Sequence, residues 1–529
     1  MSTVEFNEEE LNQLSKEALI KMIFALQGNV TELTRTVQML TEQIKIMNQR
    51  HFGRKTEAVS PLQLALDLGF NETEYTAEPE KPEPALNEAA PKKKRPKGKR
   101  REDISKITNH REVPVELSEE ELIARFGENG WKRLPDQVIT KLEHLPASFE
   151  AVTYNIAVYV SKKTGEIIRA DKPTELWQNS IATPSLVSSI IMAKYVNAVP
   201  LYRQEQAYEQ NEVFISRATM ANWMIKASED YLKYYYLGMK QYLMKQSYLH
   251  ADETPVLVSK DGRPAGTKSY MWVYRSRKGH GDPQIVLYDY CMGRSSKYPD
   301  EFLKDYVGTM ITDGYETYHK LERDHPTRFT VAGCWVHTKR KFSECLKALG
   351  KNSPKGTLSE KGVNQIARIY HEEHKLNDLS DEEKLKKRQE VIKPLVDDFF
   401  SWARDCKAIV DSSSALGKAI GYALNQEKYL RVFLTDPNVP LDNNSAEQAI
   451  RPFTVGRKNW VMIDTIRGAG SSSVMYSIVE TAKANNLKIY DFLVYLLTEL
   501  PKFIHGFNTE VPEHLYTWSE NFPKELFKK

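Results

Sequence analysis

PLDNNSAEQAIRPFTVGRKNW, residues 440–460, places one carboxylate, Glu447, well inside a polar helix start and follows it with Arg451, Arg457 and Lys458. Two readings compete. In an ordinary surface helix Asn444 is the N-cap, and Glu447, three residues on, closes a capping box. In the other, the carboxylate belongs to a metal-dependent site and the cations face phosphates. The rest of the chain has to separate them.

A chain of 529 residues exceeds a single core, so about two to four domains are expected. The net charge of +3 is small, so any nucleic-acid argument rests on local charge. No apolar run approaches the roughly 20 residues that cross a bilayer. The opening MSTVEFNEEE is acidic and polar, unlike a secretory signal. Cys291, Cys334, Cys345 and Cys406 form no CxxC pair, and read as reduced thiols in a cytoplasmic protein.

Residues 1–57 read as a coiled-coil dimerisation helix. Leu19, Ile23, Leu26, Val30, Leu33, Val37, Leu40, Ile44 and Met47 alternate steps of four and three. The a positions are β-branched and the d positions are Leu or Met, which favours a parallel two-stranded coil. Residues 58–103 read as a disordered linker, rich in Pro, Glu, Ala and Lys. Inside it PKKKRPKGKRR, residues 91–101, holds eight cations, among them Lys92, Lys93, Lys94 and Arg95. Such a run contacts DNA phosphates in a salt-sensitive way, or is a solvated tail.

Residues 104–178 read as a small α/β module, with a helix in ELSEEELIARFGENGW and a hairpin in FEAVTYNIAVYVSKKTGEIIRA. Residues 179–245 are helical, and PLYRQEQAYEQNEVFISRATMANWMIKA has helix-turn-helix form. Ser216 caps its second helix. Met220, Trp223 and Met224 then face inward while Arg217, Thr219 and Asn222 point outward, as a DNA-recognition helix requires. A plain helical bundle explains the same pattern.

From residue 246 the texture changes. SYLHADETPVLV, KSYMWVYRS and QIVLYDYCM are three β-rich runs, and YVGTMITDGYETYHKL and FTVAGCWVHTKRKF each read as a strand entering a helix. This predicts a mixed sheet with helices packed on it, over 246–350. Residues 351–435 read as a helical insertion. Residues 436–485 resume the core with Glu447, and 486–529 hold C-terminal helices. SSSVMYSIVETAKANNLKIYDFLVYLLTELP predicts two amphipathic helices.

Asp252 lies inside a β-run, and Asp313 ends an apolar strand just before Gly314. Carboxylates there oppose both strand propensity and burial. A divalent cation compensates. Strand-end carboxylates joined by one from a helix hold two Mg²⁺ about 3.5–4 Å apart, a clamp for phosphoryl transfer. Each acid also has a bland reading: a solvated Asp252–Glu253 pair, an Asp-Gly turn, the capping box. The cations shift the balance, because His337, Lys339, Arg340 and Lys341 follow one strand and Arg451, Arg457 and Lys458 follow Glu447. No GxxxxGK[ST], GxSxG or HExxH motif offers another chemistry.

Taken together, HADETPV, ITDGYETY, CWVHTKRKF and LDNNSAEQAIRPFTVGRKNW resemble the DDE transposases of the insertion sequence 66 family. HFGRKTE, KYVNAVPLYRQE and YSIVETAKANNLKIYDFL extend the likeness over nearly the whole chain. The resemblance implies a multidomain α/β protein whose RNase H-like mixed-sheet catalytic core carries a helical insertion. It implies a DNA transposase that cleaves the ends of a mobile element and joins the 3′-hydroxyls to target DNA by two-metal-ion phosphoryl transfer. Asp252, Asp313 and Glu447 become the catalytic, metal-holding acids for two Mg²⁺, with Mn²⁺ able to substitute. His337 and Arg340 match the family's WxHxxRKF element; with Arg451, Arg457 and Lys458 they are expected to hold DNA or order the site.

The implied partners are double-stranded DNA of element ends and target, a second copy through the coiled coil or a larger assembly on DNA, and element-encoded helper proteins. No membrane is involved, and the place is the bacterial cytoplasm, on the nucleoid when active. One departure stands out: many members carry a cysteine-based zinc segment after the basic linker, whereas residues 104–178 contain no cysteine. No structural zinc is therefore expected. Two other readings remain: an RNase H-like nuclease that cuts without joining, and a non-catalytic, transposase-derived DNA-binding regulator.

Overall fold

The computed structural model describes residues 15–30, scattered positions from 34 to 178, and 180–528 apart from 278–282, 350–355 and 507. The linker of 58–103, with Lys92, Lys93, Lys94 and Arg95, and most of the 104–178 module lie outside the described residues, as does the coil beyond Val30 apart from helical Thr34 and Thr36. Residues 55–155 separate from the remainder as a unit of their own.

Helix α1 spans residues 16–30. Its heptad residues Ile23, Leu26 and Val30 are exposed. Strands β1 (Val158–Val160) and β2 (Ile167–Arg169) pair antiparallel, Val158 opposite Arg169, as the alternating run predicts.

The helical region opens with α2 (Pro184–Tyr195), α3 (Leu201–Glu209) and α4 (Arg217–Ala227). Ser216 caps α4, its hydroxyl accepting the Thr219 N–H at 3.1 Å. Met220 and Met224 are buried, Trp223 is half-buried, and Arg217 and Asn222 are exposed. Thr219 joins the cap instead, its hydroxyl 3.0 Å from that of Ser216. The second helix is the start of a long one. A π-turn at Ser228–Leu232 carries it into α5 (Lys233–Met244). No proline interrupts that stretch, and outside bonds hold the turn: Trp177 Nε1 donates to Asp230 at 3.0 Å, and Arg467 pairs with Glu229 at 2.6 Å.

β3 (Tyr248–Lys260), β4 (Lys268–Ser276) and β5 (Val286–Cys291) form an antiparallel meander. After α6 (Lys297–Phe302), β6 (Gly308–Thr312) returns parallel to β3. It leads through α7 (Glu316–Asp324) to β7 (Phe329–Gly333), parallel to β6, and then α8 (Trp335–Ala348). The order is β5-β4-β3-β6-β7, the mixed sheet expected from the three meandering runs and two strand–helix units.

Residues 358–434 are helical, with α9 (Leu358–His374), α10 (Asp381–Lys387), α11 (Lys393–Ile409), α12 (Ala415–Asn425) and α13 (Glu427–Leu430). They build a second core in which Phe399, Phe400, Trp402 and Phe433 close around Trp335 and Phe342 of α8. The chain then returns to the sheet as α14 (Asn444–Trp460), which packs on β3 and β4 and buries Ala446, Ala449, Ile450, Phe453 and Gly456. A short strand the sequence reading missed, β8 (Ile463–Thr465), pairs parallel with the far end of β3.

α15 (Ile466–Ala484) is not amphipathic as predicted: Ser471 to Ala482 are buried without a break. It covers the edge strand β5, where Ser477 and Thr481 hydroxyls accept the Tyr288 and Val286 N–H groups at 2.7 and 3.0 Å. Covering an edge removes a template for unwanted strand pairing. α16 (Ile489–Phe503) does show the expected apolar stripe, Ile489, Phe492, Leu493, Leu496, Leu497 and Leu500. No described helix is long and apolar enough to cross a membrane.

Candidate active site

β3 is long, and its neighbour on one side changes along its length. The pairing with β6 ends at His250 opposite Ile311, and that with β8 begins at Val258. Asp252 falls in the gap. Asp313 follows the last residue of β6, so continuing the register by two residues sets it level with Asp252. Level residues on parallel neighbours share a face, about 4.8 Å apart across the ladder.

Each aspartate is oriented by a local backbone donor: Asp252 Oδ1 accepts the Glu253 N–H at 2.8 Å, and Asp313 Oδ1 the Tyr315 N–H at 2.9 Å. The chain leaves the site through Gly314, whose φ of +88° suits glycine. A Cβ there would lie 2.8 Å from both the Tyr422 hydroxyl and Gln426 Oε1. The Tyr422 hydroxyl donates to the Asp313 carbonyl at 2.8 Å, so the helical insertion is fastened directly to the site.

Glu447 arrives from the other side on α14. The capping box does not form. The N-cap is Asn443, not Asn444, and its side chain makes no cap bond. It is instead buried in the sheet, Nδ2 donating to the Ala251 carbonyl at 2.8 Å and Oδ1 2.9 Å from His250 Nδ1. Its own N–H donates to Cys334 Sγ, at the start of α8, at 3.2 Å. One residue thus ties α14 both to β3 beside Asp252 and to the β7–α8 junction. Arg275 of β4 adds a bond to the Ser445 carbonyl at 3.2 Å. The sequence reading missed Asn443, although it sits in the quoted motif, because its bonds reach almost two hundred residues away.

The charges are unevenly compensated. Burial pushes the Asp252 carboxyl well above the ordinary aspartate range; Asp313, then Glu253, and more weakly Glu447 push it further. No cationic side chain bonds Asp252 among the described residues. Its neighbour Glu253, also raised by burial and then Asp313, is held by Arg294 Nε at 2.9 Å and the Tyr318 hydroxyl at 3.0 Å. The Arg294 guanidinium lies 3.7 Å over the Tyr315 ring, linking this pair to the Asp313 turn.

Glu447 meets α8. Arg340 Nη2 lies 3.2 Å from Oε2, and His337 Nε2 3.6 Å from Oε1. Burial holds the His337 imidazole below its ordinary range despite the opposing fields of Glu447 and Asp313. Both Glu447 Oε1 and His337 Nδ1 are buried without a hydrogen-bond partner. Among the described residues, the ligand atoms that close to metal-binding distance are those of Cys334, His337 and Glu447, all within 4.8 Å of one another. The two aspartates stand beside that group rather than in it. Several crowded carboxylates, one orphaned oxygen and no cation on Asp252 suit a hard divalent ion, which favours oxygen ligands.

The remaining predicted residues divide. Arg457 points back into the fold, Nη1 donating to the Thr254 hydroxyl at 3.0 Å and to the Pro255 carbonyl, so it braces α14 against β3. Lys458 is exposed and Arg451 half-exposed on the same helix. Arg217 and Asn222 lie on α4, away from the acids in the chain's order of elements, and are solvent-facing.

The model for the "Transposase IS66 family" matches residues 179–471, which takes in Asp252, Asp313 and Glu447. A second, described as "Transposase C of IS166 homeodomain", matches residues 39–113. Three similar proteins come from Sinorhizobium fredii (strain NBRC 101917 / NGR234). Uncharacterized protein y4qI is 27% identical over 72% of this chain and 70% of its own length. Uncharacterized protein y4hP is 26% identical over 70% and 68%, and uncharacterized protein y4jD is 24% identical over 90% and 93%. With its core matched from the helical region through the glutamate helix, the chain belongs to the IS66 family of transposases.

Proposed function

We propose that this protein is a DDE-type DNA transposase, cleaving the ends of its mobile element and joining the freed 3′-hydroxyls to target DNA, with Asp252, Asp313 and Glu447 as its catalytic acids on an RNase H-like core. The observation that carries this reading is the register of Asp252 with Asp313 in the gap of β3, faced by a glutamate helix that Asn443 anchors one residue from Asp252. The strand order, three antiparallel then two parallel, supports the fold assignment.

Divalent cations, two Mg²⁺ or Mn²⁺ in their place, would supply Lewis acidity for the attacking and leaving oxygens of the phosphodiester. The chain supplies their seats. Asp252 and Asp313 present free carboxylate oxygens on one face, each steadied by one backbone N–H. Glu447, beside Arg340 and His337, would be the third carboxylate to hold the ions. Arg340, exposed next to it, would meet a DNA phosphate. Arg451 and Lys458 line the DNA side of α14, while Arg457 keeps that helix on the sheet.

Arg217 and Asn222 read the element end, and Lys92, Lys93, Lys94 and Arg95 hold backbone phosphates. The exposed heptad face of α1 pairs two copies so that two ends are held together. Double-stranded DNA is the partner throughout, and element-encoded helper proteins join the assembly.

The test is cleavage of element-end DNA with Mg²⁺, comparing the wild type with Glu447→Gln, followed by strand transfer from a pre-cleaved end. Wild-type protein is expected to cut and join, and Glu447→Gln to bind without cutting. Cutting without joining would favour a nuclease. Equal effects of wild type and Asp252→Ala in cells would favour a regulator.

A further inference from the structure

The helical insertion carries many cations, and most are matched. Arg388 pairs with Glu373, Arg404 with Glu427, Arg431 with Asp397 and Glu427, Lys393 with Asp397, and Lys428 with Glu322. Several lysines depart from that habit. Among the described residues Lys341 of α8, Lys407 of α11 and Lys418 of α12 form no salt bridge, although Lys418 lies in the field of Asp411. These three line one groove, together with Ser412, Tyr422 and Asn425. A second stretch of it, between α8 and α12, is bordered by Lys341 and Lys418 with Glu344 as its one acid.

The groove reaches the turn after β6 through one side chain. Tyr422, whose hydroxyl bonds the Asp313 carbonyl, forms its wall. The Lys341 ammonium sits 4.5 Å over the Tyr422 ring. Lys418 stands one helical turn, about 6 Å, before Tyr422 on α12. At Gly421 a side chain would meet nothing within 4 Å, so that wall is open.

Resting on the transposase reading above, we propose that this groove is a track for the sugar–phosphate backbone of duplex DNA leaving the active site, with Lys341, Lys418 and Lys407 as successive phosphate contacts. Cations along one groove suit a polyanion, and the apolar lining between them, Val410, Ile420, the Tyr422 ring and the lysine stems, leaves the ammonium groups as the polar contacts it offers. Lysine as a point charge suits contacts that position DNA without reading its sequence.

The experiment measures binding of the full chain to element-end duplexes in EDTA, across a salt series, for wild type, Lys407→Ala/Lys418→Ala and Lys407→Arg/Lys418→Arg. Each phosphate contact contributes ~0.9 to the slope of log affinity against log salt. The alanine pair should flatten that slope by about 2 and weaken low-salt binding ~tenfold on long duplexes. It should have no effect on a duplex cut back to the cleavage site, and the arginine pair should match wild type. Equal slopes for wild type and the alanine pair would overturn the proposal. Mg²⁺-dependent cleavage is scored separately. If the slope changes but the wild type never cuts, the groove stands and the transposase reading falls.

Discussion

Buried charge is treated in opposite ways in the helical insertion and in the gap of β3. In the insertion Arg388 is wholly buried, yet its donors are used: Glu373 takes Nε at 3.0 Å, and the Phe433, Asp436 and Val439 carbonyls take the rest at 2.6–3.1 Å. In the gap of β3 Asp252 has three acidic neighbours, one backbone bond and no cation. The first arrangement closes a structure. The second leaves an electrostatic deficit that a proton or a cation relieves. Glu253, beside Asp252, has its own arginine; Asp252 has none, and is the one proposed for the chemistry.

The contrast breaks most sharply by substitution. Asp252→Asn should reduce strand cleavage to background while raising the melting temperature by a few degrees, the size of a change of about 1 kcal/mol. A melting scan showing a fall would mean that the carboxylate is structural after all. Arg388→Ala should do the reverse, costing about 3–5 kcal/mol because it leaves buried Glu373 with only Lys384, 3.6 Å away, and takes the donor from the Phe433, Asp436 and Val439 carbonyls, measured by denaturant unfolding. If the mutant keeps wild-type stability, the insertion's charge closure is not what holds it.

Asn443→Ala sits between the two regions. It removes bonds to Ala251, His250 and their support of α14, so about 1–3 kcal/mol of stability should go. Activity should fall about 10–100-fold, as for residues that orient metal-holding groups. Full activity in a destabilised mutant would reduce Asn443 to packing.

The smallest effect concerns pH. The Asp252 pKa is raised in the folded state, so the folded protein binds the extra proton. Stability from this group is then greatest at low pH and declines as pH rises from the ordinary 3.8 through the folded value. Adding Mg²⁺ should flatten that decline, and Asp252→Asn should abolish it, both readable as melting temperature against pH. A decline unchanged by either would place its origin elsewhere.

Much of this was legible in the sequence because it is local. Alternation of apolar residues in SYLHADETPVLV and KSYMWVYRS predicts strands whatever surrounds them, and Ser216 caps a helix through the third residue beyond it. Acids lodged in β-runs and cations clustered after Glu447 pointed to the site before any contact was known. The overturned expectations share one cause. The capping box lost to a sheet-bound Asn443, and α15 became buried on all sides because β5 needed cover.

The sequence by itself determined which residues carry charge, which segments are strands or helices, and which family the motifs resemble. Tertiary structure alone decided the rest: that Asp252 and Asp313 stand level, that Arg457 braces instead of reaching out, that Tyr422 fastens the insertion to the site, and that three lysines share a groove. The reason is distance along the chain. Tyr422 and Asp313 are 109 residues apart and Asn443 and Ala251 are 192, so no local pattern can encode those bonds.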